Sequence, residues 1–407
     1  ANSGKNNKIK KNIKEKTFWP KLHDKCFFLI QPVFSCIFRQ VPIDNSKITF
    51  DSFEGTGFGG DPKFICEELL QRKLNLKIIW FVRKYHDNFP DGVTQVKLNS
   101  IRAIYHQSTA KVWVDNTRTG HRTKKRPSQK YMQTWHGNLL GKKCEKDAED
   151  KLWPGYIPVA QYDGMITNAF IVANRQSLDL AKRSFWLNDK VEYLKIGAPS
   201  IDLLLCAKND DSIKKKVKQK FGISEETYII LYAPSFRDDG SLDGYKLDFQ
   251  KLIHAFEHNT RRKCVMLIRF HPDVVQHEKS FAFTDNLINA TRYEDLKELS
   301  LTADCLITDY SSVAYDFLIL RKPIFRICLD FEKYKQLRDV YDEFYQLPYG
   351  ICLSNEQAIE TVNHFSNKEY QIKLDEYFKI NTIYDNGTAS KHAADWICSQ
   401  LGIDGEF

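Results

Sequence analysis

The chain has no apolar run long enough to cross a bilayer, no CxxC cysteine pair, no internal repeat and no glycine loop with a recognised nucleotide-binding spacing. Each absence excludes a class. The ten cysteines (26, 36, 66, 144, 206, 264, 305, 328, 352 and 398) are scattered, several of them inside apolar runs. That pattern predicts reduced, buried thiols, not a disulfide framework or a zinc site. The longest apolar stretch, Cys26–Phe38, has thirteen residues and is interrupted by Pro32. It is too short to span, and Arg39-Gln40-Val41-Pro42 after it makes a poor signal-peptide cleavage site. Gly55, Gly57, Gly59 and Gly60 match neither a Walker A loop nor GxGxxG. They read as a flexible loop leading to a helix opened by Asp61-Pro62. No DxD-like pair is placed for a metal, so neither metal nor cofactor is expected.

Positive charge is also scarce where it would matter for nucleic acid. Eight lysines against Glu15 and Asp24 put +6 of the formal +8 into residues 1–25, leaving +2 for the rest of the chain. A basic segment, 116–130, lacks interleaved aromatics and reads as a charged loop, so no nucleic-acid partner is expected. Lysines followed by a Phe-rich run suit a segment lying on an anionic membrane surface. The competing reading makes Phe27–Phe38 an ordinary core element behind a solvated lysine arm.

What is present is alternation. At 407 residues, with 42% hydrophobic content, the chain is long for one core and rich enough for two. Strands are expected at 47–53, 76–82, 111–115, 131–135, 164–167 and 192–196. A second set falls at 228–233, 264–270, 305–308, 323–328 and 351–353. Helical patterns such as 62–73, 171–185, 249–261 and 312–320 lie between them, and the charged stretch 207–220 separates the sets. This predicts an α/β protein of two doubly wound, Rossmann-like domains facing a cleft. The expected boundaries are a membrane-surface segment at 1–40, domains at 41–206 and 216–365, and C-terminal helices at 366–407 that pack back on the first domain.

Open parallel sheets bind ligands at the carboxyl ends of their strands, which directs attention to the residues after each strand. His136-Gly137 ends "YMQTWHG" and places an ionisable ring in a tight corner; Asn116 follows the preceding strand. In the second half, "APSFRDD" offers Ser235 and Arg237, whose guanidinium suits a diphosphate. "RFHP" offers His271, and "TDYSS" offers Asp309, Ser311 and Ser312. Ser311 is expected to be the N-cap of a helix whose first N–H groups would receive an anion. Asp316, one turn after Ser312, would repel phosphate and is expected to orient a hydroxyl or a cation.

Together "SFEGTGFGGDPKFICEELL", "YMQTWHG", "IGAPSID", "LYAPSFRDD", "RFHP", "ITDYSSVAYDF", "KPIF" and "YDNGTASKHAADWI" resemble the CDP-glycerol glycerophosphotransferases of teichoic acid and capsule polymer synthesis. The resemblance implies a GT-B-like fold at the cytoplasmic face of the bacterial membrane. It also implies a CDP-linked polyol donor, a lipid-linked saccharide or polymer acceptor, and release of CMP. His136 matches the family's proposed base on the acceptor hydroxyl, with Gly137 and Asn116 on the acceptor side. His271 matches the second essential histidine, and Ser311 and Ser312 match the donor-phosphate helix start. Arg237, Ser235, Asp309 and Asp316 are expected on the donor side. Two departures stand out: Asn138-Leu139-Leu140 where the family often has TPLK, and Ser200-Ile201-Asp202 where it often has RND. A GT-B nucleotide-sugar glycosyltransferase is the alternative, and an inactive anion-binding module a further one.

Overall fold

The computed structural model describes residues 22–119, 122–137, 141, 143–237, 239–271, 274–275, 278, 281–293, 295–337 and 339–403. Most of the lysine arm and the departure at Asn138–Leu140 lie outside the described residues.

Seven strands form the first sheet: β1 Asp44–Asp51, β2 Lys77–Val82, β3 Val93–Lys97, β4 Ala110–Asp115, β5 Lys130–Gln133, β6 Ala169–Val172 and β7 Glu192–Lys195. Their order is β3-β2-β1-β4-β5-β6-β7, and every pairing is parallel. The second sheet holds β8 Tyr228–Tyr232, β9 Cys264–Ile268, β10 Leu287–Asn289, β11 Cys305–Thr308, β12 Ile324–Ile327 and β13 Ile351–Cys352. Its order is β10-β9-β8-β11-β12-β13, again all parallel. Strands such as Ile229–Leu231 and Met266–Ile268 are buried on both faces, so their sequences read as continuous apolar runs. In each sheet the chain reverses its direction of winding, between β1 and β4 and between β8 and β11. Ligand crevices open at the carboxyl ends beside such reversals.

Three expectations need correcting. Residues 164–167 are not a strand; Gly164 lies within the helix Ile157–Ile166, which Thr167 caps, and the strand is β6, five residues later. The four-residue run AFIV had been absorbed into a longer helical pattern, which shortens to Arg175–Ser184. The stretch 207–220 does separate the two strand sets. It contains the helix Asp211–Phe221, which buries Val217 alone and keeps its charged faces in solvent. Cys36 and Cys206 are exposed rather than buried.

Phe27–Phe38 belongs to a single helix, Leu22–Phe38, which runs through Pro32. Phe27 and Ser35 are buried, with Ser35 Oγ 2.8 Å from Thr123 Oγ1, and Phe38 packs edge-on against Tyr105. Leu29, Ile30, Val33 and Ile37 line the outer face, Leu29 at 78% exposure.

The chain crosses between domains twice. Outbound, the helix Pro199–Cys206 places Ile201 and Leu204 in the second domain's core beside Tyr370, Leu374 and Tyr377. Returning, the helix Ala389–Leu401 packs Ile397 and Cys398 against Val112 and Val114 of the first domain. Asp202 holds the start of this returning helix, accepting from the Ala389 and Ser390 N–H groups at 3.0 and 2.7 Å. The last helix is therefore part of the first domain's core. Ile397→Ala should lower stability by about 2–5 kcal/mol, as large-to-small changes in packed cores do. A melting temperature equal to the parent's would contradict that placement.

Candidate functional site

The first domain builds its half of the site from a constrained corner. After β5, Trp135 takes a left-handed backbone (φ 58°) and Gly137 follows at φ 141°. For a tryptophan this region is sparsely populated, and it persists because its surroundings fix it. The Trp135 N–H donates to Gln133 Oε1 at 2.8 Å, and its ring meets Phe185 edge-on and lies tilted against His136. His136 Nδ1 lies 2.6 Å from the carbonyl oxygen of Asn116. A carbonyl only accepts, so Nδ1 carries the proton and Nε2 is the basic nitrogen. Asn116 is in turn fixed behind the corner, accepting from the Phe53 N–H and donating to Ser52 Oγ.

The second domain supplies the facing wall. Ser311 and Ser312 follow β11, and a Cβ on Gly137 would lie 3.1 Å from Ser312 Oγ. The two carboxyl-end corners thus meet across the domain boundary, at a position where an added side chain would be tight against Ser312 and strained at φ 141°. The cap differs from expectation. Ser312 is the N-cap of the helix Val313–Ile319 without a side-chain bond, and Ser311 Oγ accepts weakly from the Val313 N–H at 3.4 Å. Both serines line the cleft.

Between the walls is a cleft of about 580 Å³ lined by His136, Gly137, His271, Ser311, Ser312 and Asp316. His271 is exposed and stacks on Phe236. Asp316 is buried, and its Oδ1 accepts from Lys297 Nζ at 2.7 Å; burial pushes its carboxyl up while Lys297 pulls it down. Its charged partner is Lys297. Three cations of the cleft escaped the sequence reading: Lys63, Arg269 and Lys297. Arg269 stood in the "RFHP" string, one residue past its strand, and could have been taken from the same rule that found His271. Lys63 and Lys297 lie on helices, where nothing in the local pattern separates a cleft lysine from a solvated one. Arg269 donates to the Tyr293 carbonyl, and burial pushes its pKa down.

Arg237, Ser235 and Asp309 do not line the cleft, which corrects their assignment to donor contact. Arg237 is buried beneath the corner, with Nη1 2.8 Å from Asp309 Oδ2 and Nε 2.6 Å from Asp330 Oδ2. Tyr310 and Tyr245 pack on its guanidinium. Ser235 is occupied with the same group, and its N–H donates to Asp309 Oδ1. A cation between two buried carboxylates is neutralised already and holds the loop after β8 to the loop after β11. Asn116 likewise stands behind the cleft, acting on it through His136.

Two facing doubly wound domains, with their strand ends across one cleft, define a GT-B-like transferase architecture. A family model described as CDP-Glycerol:Poly(glycerophosphate) glycerophosphotransferase matches residues 33–399, and the chain belongs to this family. A teichoic acid poly(glycerol phosphate) polymerase of Staphylococcus epidermidis is 31% identical over 378 residues, 87% of this chain and 51% of the relative. A teichoic acid glycerol-phosphate transferase of Staphylococcus aureus is 28% identical over 356 residues, 84% of this chain and 88% of the relative. Among solved structures, the wall teichoic acid polymerase TagF superposes with a TM-score of 0.81 at 28% identity, covering 98% of this chain and 97% of that one. The chain spans about half the length of the first two curated relatives it matches.

The burial of Arg237 makes a prediction. Arg237→Ala leaves two buried carboxylates uncompensated and should cost about 3–5 kcal/mol, read as a fall in melting temperature. Unchanged melting with weakened nucleotide binding would return Arg237 to the donor site.

Proposed function

We propose that this chain transfers glycerol phosphate, or a related polyol phosphate, from a CDP-linked donor to an acceptor hydroxyl in teichoic acid-type polymer synthesis. The observation that carries the reading is the His136 tautomer, set by the Asn116 carbonyl at a corner in contact with Ser312. His136 Nε2 takes the proton of the acceptor hydroxyl. The hydroxyl oxygen forms a bond to the phosphorus that bears the polyol, and the bond from that phosphorus to the bridging oxygen breaks. CMP leaves with the electron pair. Ser311, Ser312 and His271 donate to the phosphate oxygens, and Arg269 and Lys297 offset their charge. Donor binding thus belongs to the second domain and acceptor activation to the first. A sugar nucleotide attacked at carbon is the reading this arrangement favours less, since the cations and hydroxyls gather where phosphate charge would change.

Docking at the cytoplasmic face of a membrane, where a lipid-linked saccharide or polymer acceptor would be met, is part of the same proposal. Its support is the outward face Leu29, Ile30, Val33 and Ile37, beside a groove of about 440 Å³ that contains Arg39 and Lys124. No helix among the described residues is long and apolar enough to cross a bilayer, so the contact would be interfacial.

His136→Ala and His271→Ala should each keep the parent's melting temperature and lower CMP release from CDP-glycerol or CDP-ribitol by roughly 100-fold or more. Near-parental release by either variant removes that histidine from the mechanism. For the membrane contact, Leu29→Ser with Val33→Ser should reduce flotation with anionic vesicles while sparing melting temperature, because both side chains already face solvent. Binding by the parent should weaken with salt, since surface charge is screened over about 10 Å at 0.1 M. Flotation unaffected by the double substitution would sink the contact.

A further inference from the structure

Tyr315 and Asp385 play no part in the chemistry above, yet they join the cleft wall to the domain crossing. We propose that the Tyr315–Asp385 hydrogen bond is a positioning device for the transfer, setting Ser311 and Ser312 against His136 by tying their helix to the point where the chain passes between domains. The inference rests on the proposed reaction.

Tyr315 is fully buried and stands three residues after Ser312, and its N–H donates to the Ser312 carbonyl at 3.0 Å. Its hydroxyl has one hydrogen to give. Asp385 Oδ2 lies at 2.6 Å and the Ala173 carbonyl at 3.5 Å, so the proton goes to the carboxylate. The other oxygen, Asp385 Oδ1, accepts from the Ala198 N–H at 2.7 Å. Ala198 lines the cleft and immediately precedes the outbound crossing helix. The segment bearing Asp385 is bound to the first domain: the Tyr384 N–H donates to the Ala173 carbonyl at 2.8 Å, and the Arg175 N–H to the Thr382 carbonyl at 2.9 Å.

One carboxylate therefore receives a donor from each domain, at the place where outbound and returning strands of the chain meet. Gly197 permits this. It holds φ 88°, and a Cβ there would stand 2.7 Å from the Asp385 Cα. The domains also touch through Lys143–Asp339 and Tyr341–Asp147, but none of these four lies on the element that carries the cleft serines. Burial pushes the Asp385 carboxyl up to about 7, against the Tyr315 and Ala198 donors that hold it down, and the Asp61 and Asp202 carboxylates add to the rise. The two hydrogen bonds favour the ionised form, which accepts from both sides.

The test is Tyr315→Phe in the full chain, which removes one oxygen and keeps the ring. CMP affinity should stay within about twofold, because no residue lining the cleft is replaced, while kcat for CMP release falls about tenfold or more through misplacement of the reacting groups. Amide exchange at Ala198 and at 311–315 should quicken without a change in melting temperature. Asp385→Asn should lower kcat too, and the double variant should fall short of the sum of the two single losses. Unchanged kcat in Tyr315→Phe, matched losses of CMP affinity and melting temperature, or strictly additive effects would each overturn the proposal. If the unaltered chain releases no CMP from either donor, the proposed reaction fails. In that case unchanged exchange in Tyr315→Phe would also refute the tie, and quickened exchange would keep it as a domain link without a catalytic consequence.

Discussion

A missing side chain governs the site. Because Gly137 has no Cβ, the corner after β5 can come within contact of Ser312, and two domains with separate cores share one cleft. The constraint reaches in both directions along the chain. Behind it, Trp135 must accept a left-handed backbone, which Gln133 and Phe185 hold in place, and the turn delivers His136 to the Asn116 carbonyl. Ahead of it, the serines must be presented by a helix whose own position is fixed from outside the cleft. Catalytic groups need placement within fractions of an ångström, so a hinge between domains has to be held as firmly as the groups themselves.

The same economy explains which charges are buried and which are offered. Arg237 pairs with both Asp309 and Asp330 beneath the β8 and β11 corners, where unpaired charge would be costly. Lys297 is held by Asp316 yet reaches the cleft, and Arg269 is steadied by a neutral carbonyl. The wall presents neutral hydroxyls and a histidine beside Arg269, whose partner is a carbonyl, and Lys297, which Asp316 pairs.

Much of this was legible in the sequence, for physical reasons. Parallel strands buried on both faces print continuous apolar runs, so β2, β4, β8, β9 and β11 could be placed nearly to the residue. β3 and β10 could not, since each is an edge strand with polar residues and little apolar signal. β6 was lost because four apolar residues beside an amphipathic helix carry no period of their own. Looking just past strand ends found His136, His271, Ser311 and Ser312, because the topology puts those positions at the crevice. It also misplaced Arg237, for sequence shows that an arginine follows a strand and not that Asp330, 93 residues on, lies waiting for it. Lys63 and Lys297 illustrate the converse. The terminal pairing of Asp385 with Tyr315 and Ala198 joins three distant stretches and left no local trace.

The account stands on convergence of the two domains on one phosphorus, and a crystal structure with CDP-glycerol bound tests it most directly. The expected density places the diphosphate against Ser311, Ser312 and Arg269, with the polyol phosphate directed toward His136 Nε2. A diphosphate seated against residues 51–60 of the first domain, with the second domain's serines empty, would contradict it.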